Sequence, residues 1–153
     1  CGYMGDIDRA CGRAPQCGED YLGKISGPLL DRFDLRIEVP AVAVADLSSP
    51  PTGETSAVVA ARVRAAREIQ TERYKSLEGI TTNVAIEGDV LEQACVLRPE
   101  ASEMLLNAVD KFRLSARAFH RIQRVGRTIA DLRGEGEISK SAIAEAIGYR
   151  LAF

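Results

Sequence analysis

The spacing of apolar and polar positions changes character along the chain. Residues 1–18 have no period; glycines, Pro15 and three cysteines interrupt them, which predicts an irregular, loop-rich arm. Residues 19–34 read as a short helix broken at Gly27-Pro28 and restarted by Pro28-Leu29-Leu30-Asp31-Arg32-Phe33, with proline at a favourable first helical position. Leu35-Arg36-Ile37-Glu38-Val39 alternates apolar and polar side chains, which predicts a short half-buried strand ended by Pro40. Residues 46–54 (DLSSPPTGE) have the composition of a linker.

From Thr55 onward the period becomes helical. Thr55 to Tyr74 is rich in Ala, Arg and Glu, with Val58, Val59, Ala66 and Ile69 at helical spacing. A connection at 75–86 follows, then helices are expected near 87–96, 100–112, 115–133 and 140–150. Pro99 punctuates the first pair, Ser115 and Ser139 are placed to cap the last two, and Gly134 and Gly136 stop the third. No internal repeat is present. The fold class expected is mainly α: a Cys-rich irregular arm, one short strand, a long helix and a lid resembling a four-helix bundle.

Composition narrows the function classes. With 153 residues, 46% hydrophobic and 27% charged, the chain fits one ordinary domain, or one domain with an arm. A net charge of -2 argues against a general nucleic-acid coat but allows a local basic patch. No apolar run approaches the roughly 20 residues needed to span a bilayer. The opening CGYMGDIDRACG has no signal-peptide pattern and no initiator Met, so a start in mid-protein and a cytoplasmic location are expected.

The richest stretch for chemistry is KFRLSARAFHRIQRVGRTIADL, residues 111–132. Between Lys111 and Arg127 it holds six Lys and Arg side chains and no acid. On a helix Arg113, Arg117, Arg121, Arg124 and Arg127 share an arc of roughly 120°, with His120 inside it. Leu114, Ile122, Val125, Ile129 and Leu132 take the adjoining face, expected to be buried. Like charges so crowded repel one another unless anions face them. Glu87, Asp89, Glu92, Glu100, Glu103 and Asp110, with Asp131 one turn from Arg127, are available as partners. The other reading is that at least one arginine meets a phosphate, which guanidinium binds as a two-pronged fork. His120 reads as a surface residue.

Arg32 stands between Asp31 and Asp34, where a local ion pair is the simplest reading. Cys1, Cys11 and Cys17 lie in the glycine-rich arm. Three cysteines there make a candidate zinc site, although no close Cys-x-x-Cys pair is present, and free thiols are the other reading. Cys95, in a predicted helix, reads as a small core residue.

Three segments together resemble the magnesium-chelatase-like AAA+ ATPases of the YifB/ComM branch: ISGPLLDRFDLRIEVPAV (25–42), GETSAVVAARVRAAREIQ (53–70) and LSARAFHRIQRVGRTIADL (114–132). The resemblance runs over nearly the whole chain in the family's order. It implies that residues 1–45 are the end of an AAA+ core, with the Cys-rich arm, the arginine-finger helix and the last core strand. Residues 46–54 would be a linker and 55–153 the helical C-terminal lid. Arg32 matches the family's arginine finger, which neutralises charge on the phosphoryl group held by a neighbouring subunit. Arg117 matches the sensor-2 position, which touches the nucleotide of its own subunit; Arg124 and Arg127 belong to the same motif. The opening CGYMGD resembles the second half of a Cys-Pro-Cys-Gly element, which would supply a fourth zinc ligand two residues upstream of Cys1. ATP and magnesium, a self-assembled ring (taken as a hexamer), and DNA processing or branch migration in natural transformation are implied for the intact protein.

The departure from the family is large. No G-x-x-x-x-G-K-[ST] loop and no Walker-B acidic strand occur, and the near miss at Gly134–Ser141 follows a helix instead of a strand. By itself this chain is therefore expected neither to bind ATP tightly nor to hydrolyse it. Three alternatives stay open: a DNA-binding helical module using the 113–127 stripe, a motor subunit for metal insertion into porphyrin, and a zinc-stapled interaction module.

Overall fold

A computed structural model of the protein describes residues 3, 9–39, 42, 47, 48, 50 and 53–151. These fall into two compact units. One comprises the residues up to Phe33 and those between 37 and 52; the other comprises Asp34–Arg36 and everything from Gly53 onward.

In the first unit, α1 (Gln16–Leu22) is followed by the single turn α2 (Gly27–Leu30). Pro28 sits at the start of α2, where its missing N–H leaves no helical bond unmade. The turn continues past α2, since Asp31, Arg32 and Phe33 N–H donate to the carbonyls of Gly27, Leu29 and Leu30.

The second unit is the helical body. Thr55 caps α3 (Ser56–Tyr74), its hydroxyl accepting from Val58 N–H at 3.4 Å. A 3-10 turn (Asn83–Ala85) and α4 (Gly88–Ala94) lead to α5 (Pro99–Phe112), which opens on Pro99 and ends at Arg113 in the left-handed conformation, φ 49°. Ser115 caps α6 (Ala116–Leu132), accepting from Ala118 N–H at 3.1 Å. Gly134, at φ 68°, ends the chain's turn out of α6. Ser139 Oγ then accepts from Ala142 N–H at 3.4 Å in the first turn of α7 (Lys140–Leu151).

The core lies among α4 to α7, with Tyr74 of α3. Ile86, Leu91, Cys95, Leu105, Ile122, Ile138, Ile143 and Ala146 are buried together. Helices α6 and α7 approach closely at Gly126, where an added Cβ would stand 3.0 Å from Ile143 Cδ1 and 3.3 Å from Ile138 Cγ2. Burial pushes the Cys95 thiol up to about 11, consistent with its core role. The connections before α5 and α7 are clasped by Ile138 N–H to Val96 O (2.8 Å) and Arg98 N–H to Ile138 O (3.1 Å). The first half of α3 is exposed, Val58 and Val59 included; its buried residues are Ala66, Gln70 and Tyr74.

The expected strand at 35–39 is corrected: these residues carry no strand pairing, and no strand forms among the described residues. Alternation alone does not make a strand, because a ladder partner must take up its backbone groups. Here Arg36 N–H donates instead to Tyr149 O of α7 at 2.9 Å.

Candidate functional site

The C-terminal half of α6 carries a buried charge cluster. Asp131 is fully buried and receives five donor contacts. Arg73 Nη2 lies 2.5 Å and Arg127 Nε 3.1 Å from Oδ1, with Arg127 Nη2 at 3.0 Å; Arg73 Nη1 lies 2.9 Å and Asn83 Nδ2 2.8 Å from Oδ2. Arg127, 1% exposed, spends its remaining donors on carbonyls, Nη1 on Gly136 O (2.7 Å) and Nη2 on Glu135 O (2.5 Å). Asn83 completes the set. Its Nδ2 also donates to Thr128 Oγ1 (3.0 Å), its Oδ1 accepts from Tyr74 Oη (2.7 Å), and its backbone N–H donates to Gln70 Oε1 (3.2 Å). The hydrogen bond that Arg73 donates to Asp131 raises the Arg73 pKa above its ordinary value. Burial raises that of Tyr74.

One carboxylate thus joins α3, the 3-10 turn, α6 and the loop after it. Buried ions are tolerated when each is paired and hydrogen-bonded, as here. Neither Arg73 nor Asn83 was singled out from sequence. The cavity of about 320 Å³ next to Arg73, Arg127 and Gln93 borders this cluster, and both its guanidiniums are committed to Asp131.

Moving toward the N-terminus, the arginines become progressively less enclosed. Arg124 Nε donates to Ile86 O (2.9 Å), with Glu87 3.8 Å from its Nη2. Arg121 pairs with Asp34, a partner not among those expected. His120 Nδ1 lies 3.2 Å from Gln123 Oε1, and the ring is exposed at the surface.

Arg117 stands apart. It lies in the first turn of α6, two residues after the Ser115 cap, and is exposed with no ion pair or hydrogen bond to a described residue. The end of a 17-residue helix adds partial positive charge there. Arg113 is exposed as well, at the α5 C-cap.

In the first unit, Arg32 is exposed and follows α2, its N–H bonded to Leu29 O at 3.0 Å. Cys11 Sγ lies 3.4 Å from Cys17 Sγ. The Arg13 backbone N–H, more than the neighbouring thiol, lowers the Cys11 pKa. Cys1 lies outside the described residues. Among the described residues no three His, Cys, Asp or Glu side chains converge as a metal site. The two thiols are half of the tetrahedral set that a structural zinc takes, so the described residues do not by themselves fit the ion. No described helix is long and apolar enough to cross a membrane.

Comparison with known proteins bears on this arrangement. The family described as "Magnesium chelatase, subunit ChlI C-terminal" matches residues 53–150, and "Magnesium chelatase, subunit ChlI" matches residues 1–47. Competence protein ComM of Haemophilus influenzae is 45% identical over 149 residues, 97% of this chain and 28% of that protein. The uncharacterized YifB proteins of Salmonella typhimurium and Escherichia coli are 38% and 37% identical over the same shares. The chain therefore spans about 28% of the length of these relatives.

Proposed function

The chain belongs to the magnesium chelatase ChlI family, and we propose that it serves as the C-terminal control region of a ring-forming ATPase. In this reading Arg117 contacts the phosphates of nucleotide bound in its own subunit, and Arg32 reaches those bound in the neighbouring one. The observation that carries it is the unequal use of the α6 arginines. Arg121, Arg124 and Arg127 are taken up by Asp34, Ile86 O and the Asp131 cluster, while Arg117 is exposed without a described partner. A guanidinium at a helix N-terminus suits a phosphate, through a two-pronged charge-assisted bond and the helix dipole together.

The same inequality assigns Arg124 and Arg127 a supporting role in place of nucleotide contact. The Asp131 cluster fixes α6 to α3, so a pull on Arg117 moves the helix as a lever instead of unwinding it. ATP with magnesium supplies the phosphoryl group and its charge neutralisation in the intact protein. This chain contributes the sensing and the trans arginine, not the phosphate-binding loop.

A self-assembled ring, taken as a hexamer, follows from a trans arginine. Work on DNA in natural transformation is the cargo reading, supported by the likeness to a competence protein. Metal insertion, the function in the family's name, is the alternative. A cytoplasmic site of action fits both. The stand-alone DNA-binding module is less favoured, because most of the 113–127 stripe faces protein groups and little is left for a phosphate backbone. Zinc remains a proposal for Cys1, Cys11 and Cys17 together, with no step assigned to it.

The test uses the full-length protein. Arg117→Ala should weaken ATP affinity and slow hydrolysis. Arg32→Ala should bind ATP normally yet hydrolyse it at least about a hundredfold more slowly, as loss of a trans arginine does. Mixing Arg32→Ala subunits with subunits whose own nucleotide site is disabled should restore turnover. Full activity of both variants alone would sink the reading.

A further inference from the structure

We propose that the N-terminal half of α3 docks, in the assembled ring, on the acidic face of α5 in the next copy of the chain. The proposal rests on the ring reading above and deepens it by naming a contact between subunits.

Residues 56–65, the first ten of α3, are exposed throughout. Helices in folded proteins draw most of their stability from packing an apolar face. Here that face is left open, with Val59 37% and Val63 46% exposed. At about 100° per residue, Val59 and Val63 continue the line of Ala66, Gln70 and Tyr74, which are buried further along the helix. The inward stripe of α3 therefore runs on past the body with nothing described over it.

The same face carries charge. Val59, Ala60, Val63, Arg64 and Arg67 share an arc of roughly 140°, apolar along one side and basic along the other. Arg64 and Arg67 are exposed and make no ion pair with a described residue. Arg62 points outside this arc and is engaged by Glu54, at 3.1 and 2.8 Å.

A counterpart lies on α5. Glu100, Glu103, Leu106, Asn107 and Asp110 share an arc of roughly 120°, and all are exposed. Leu106 is 57% exposed among the acids. The three carboxylates make no ion pair with a described residue. The lengths agree, since Val59 to Arg67 covers about 12 Å of helix and Glu100 to Asp110 about 15 Å.

Within one copy the two faces do not meet: α3 packs against α6, and α5 against α7. Between copies, an α3 face on an α3 face sets arginine against arginine, and an α5 face on an α5 face sets acid against acid. Like charges so placed oppose association. Only α3 on α5 brings opposite charges and the exposed valines and leucine together. Used head to tail, each docking leaves one face of either kind open, so the contact passes from copy to copy until a ring closes.

The test follows the assembly of full-length protein with ATP and magnesium by analytical ultracentrifugation. Arg64→Glu/Arg67→Glu reverses the α3 face and Glu103→Arg/Asp110→Arg reverses the α5 face. Each should raise the subunit concentration at half assembly at least about tenfold, because like charges then face each other. Each should unfold at the wild-type temperature, since all four side chains are exposed. Both reversals in one chain should restore assembly. So should an equal mixture of the two variants, in which alternate subunits present opposite faces. If a reversal unfolds early, Arg64→Gln/Arg67→Gln and Glu103→Gln/Asp110→Gln should give a smaller shift in the same direction.

Wild-type protein that stays monomeric, or stops at two subunits, overturns the ring reading and the docking with it. A wild-type ring that neither the reversals nor the neutral variants weaken overturns the docking alone. A loss that neither the double reversal nor the mixture recovers does the same, because the two faces then meet other surfaces.

Discussion

At the N-terminal end of α6, Ser115 holds the first turn and Arg117 projects into solvent without a described partner. Near the other end, Arg127 and Asp131 are buried and every polar group of the Arg127 guanidinium is engaged. The residue type is the same and the face of the helix overlaps, yet one arginine is a free charge and the other a structural bolt. The difference teaches that a stripe of arginines is not one feature. Its members are separated by what the neighbouring elements bring to them: Arg73 and Asn83 at one end, and at the other no described group. A helix anchored at one end and charged at the other is suited to report an anion to the rest of the fold.

The comparison breaks most directly at Asp131. Asp131→Ala leaves Arg73 and Arg127 facing each other without their shared carboxylate. Removing one partner of a buried ion pair typically costs about 3–5 kcal/mol. Urea unfolding of the chain should show a loss of that order, in the transition of the helical unit. A change below about 1 kcal/mol would mean that the cluster is not an anchor, since that is the range of surface pairs.

A smaller effect is expected at Gly126, which lets the anchored half of α6 lie close to α7. Gly126→Ala places a methyl 3.0 Å from Ile143 Cδ1 and 3.3 Å from Ile138 Cγ2. Overpacking of a core by one carbon costs about 1–2 kcal/mol, offset in part by alanine's better helix propensity. Combining it with Ile143→Val should recover part of the loss, and a failure to do so would place the strain elsewhere. At the exposed end, Ser115→Ala removes the bond to Ala118 N–H and should cost about 1 kcal/mol. Thermal unfolding of the two variants side by side separates the packed end from the capped one.

How much of this was legible in the sequence depends on how far apart the partners lie. The helices were readable, because period, Pro99 and the caps Ser115 and Ser139 act within a few residues. The pair Arg127–Asp131 was visible for the same reason, being one turn apart. Arg73 and Asn83 were not, since they lie 58 and 48 residues from Asp131 and nothing local marks them. Of the acids offered as partners for the stripe, Asp131 pairs with Arg127 and Glu87 comes near Arg124, while Asp34, which pairs with Arg121, was passed over as a neighbour of Arg32. The 35–39 strand failed because alternation specifies which side chains face inward, not whether a ladder partner exists. Arg32 and Arg117 were reached through family resemblance, not through their spacing.

The smallest expected effect is the sharpest test of the contrast. Arg117→Ala in this chain removes an exposed side chain with no hydrogen bond or ion pair to a described residue, so unfolding should change by no more than about 0.5 kcal/mol, as for surface substitutions away from special features. The sign should lean toward stabilisation, because the N-terminal end of a helix disfavours positive charge. Arg121 follows it by one helical turn, and the repulsion between the two is relieved at the same time. Repeating the measurement at low and high salt distinguishes the causes, since relief of repulsion fades as the ions screen it. A loss comparable to that of Asp131→Ala would show that Arg117 is held by the fold after all. The two ends of α6 would then be the same kind of structure, and the free charge on which the proposed nucleotide sensing rests would not exist.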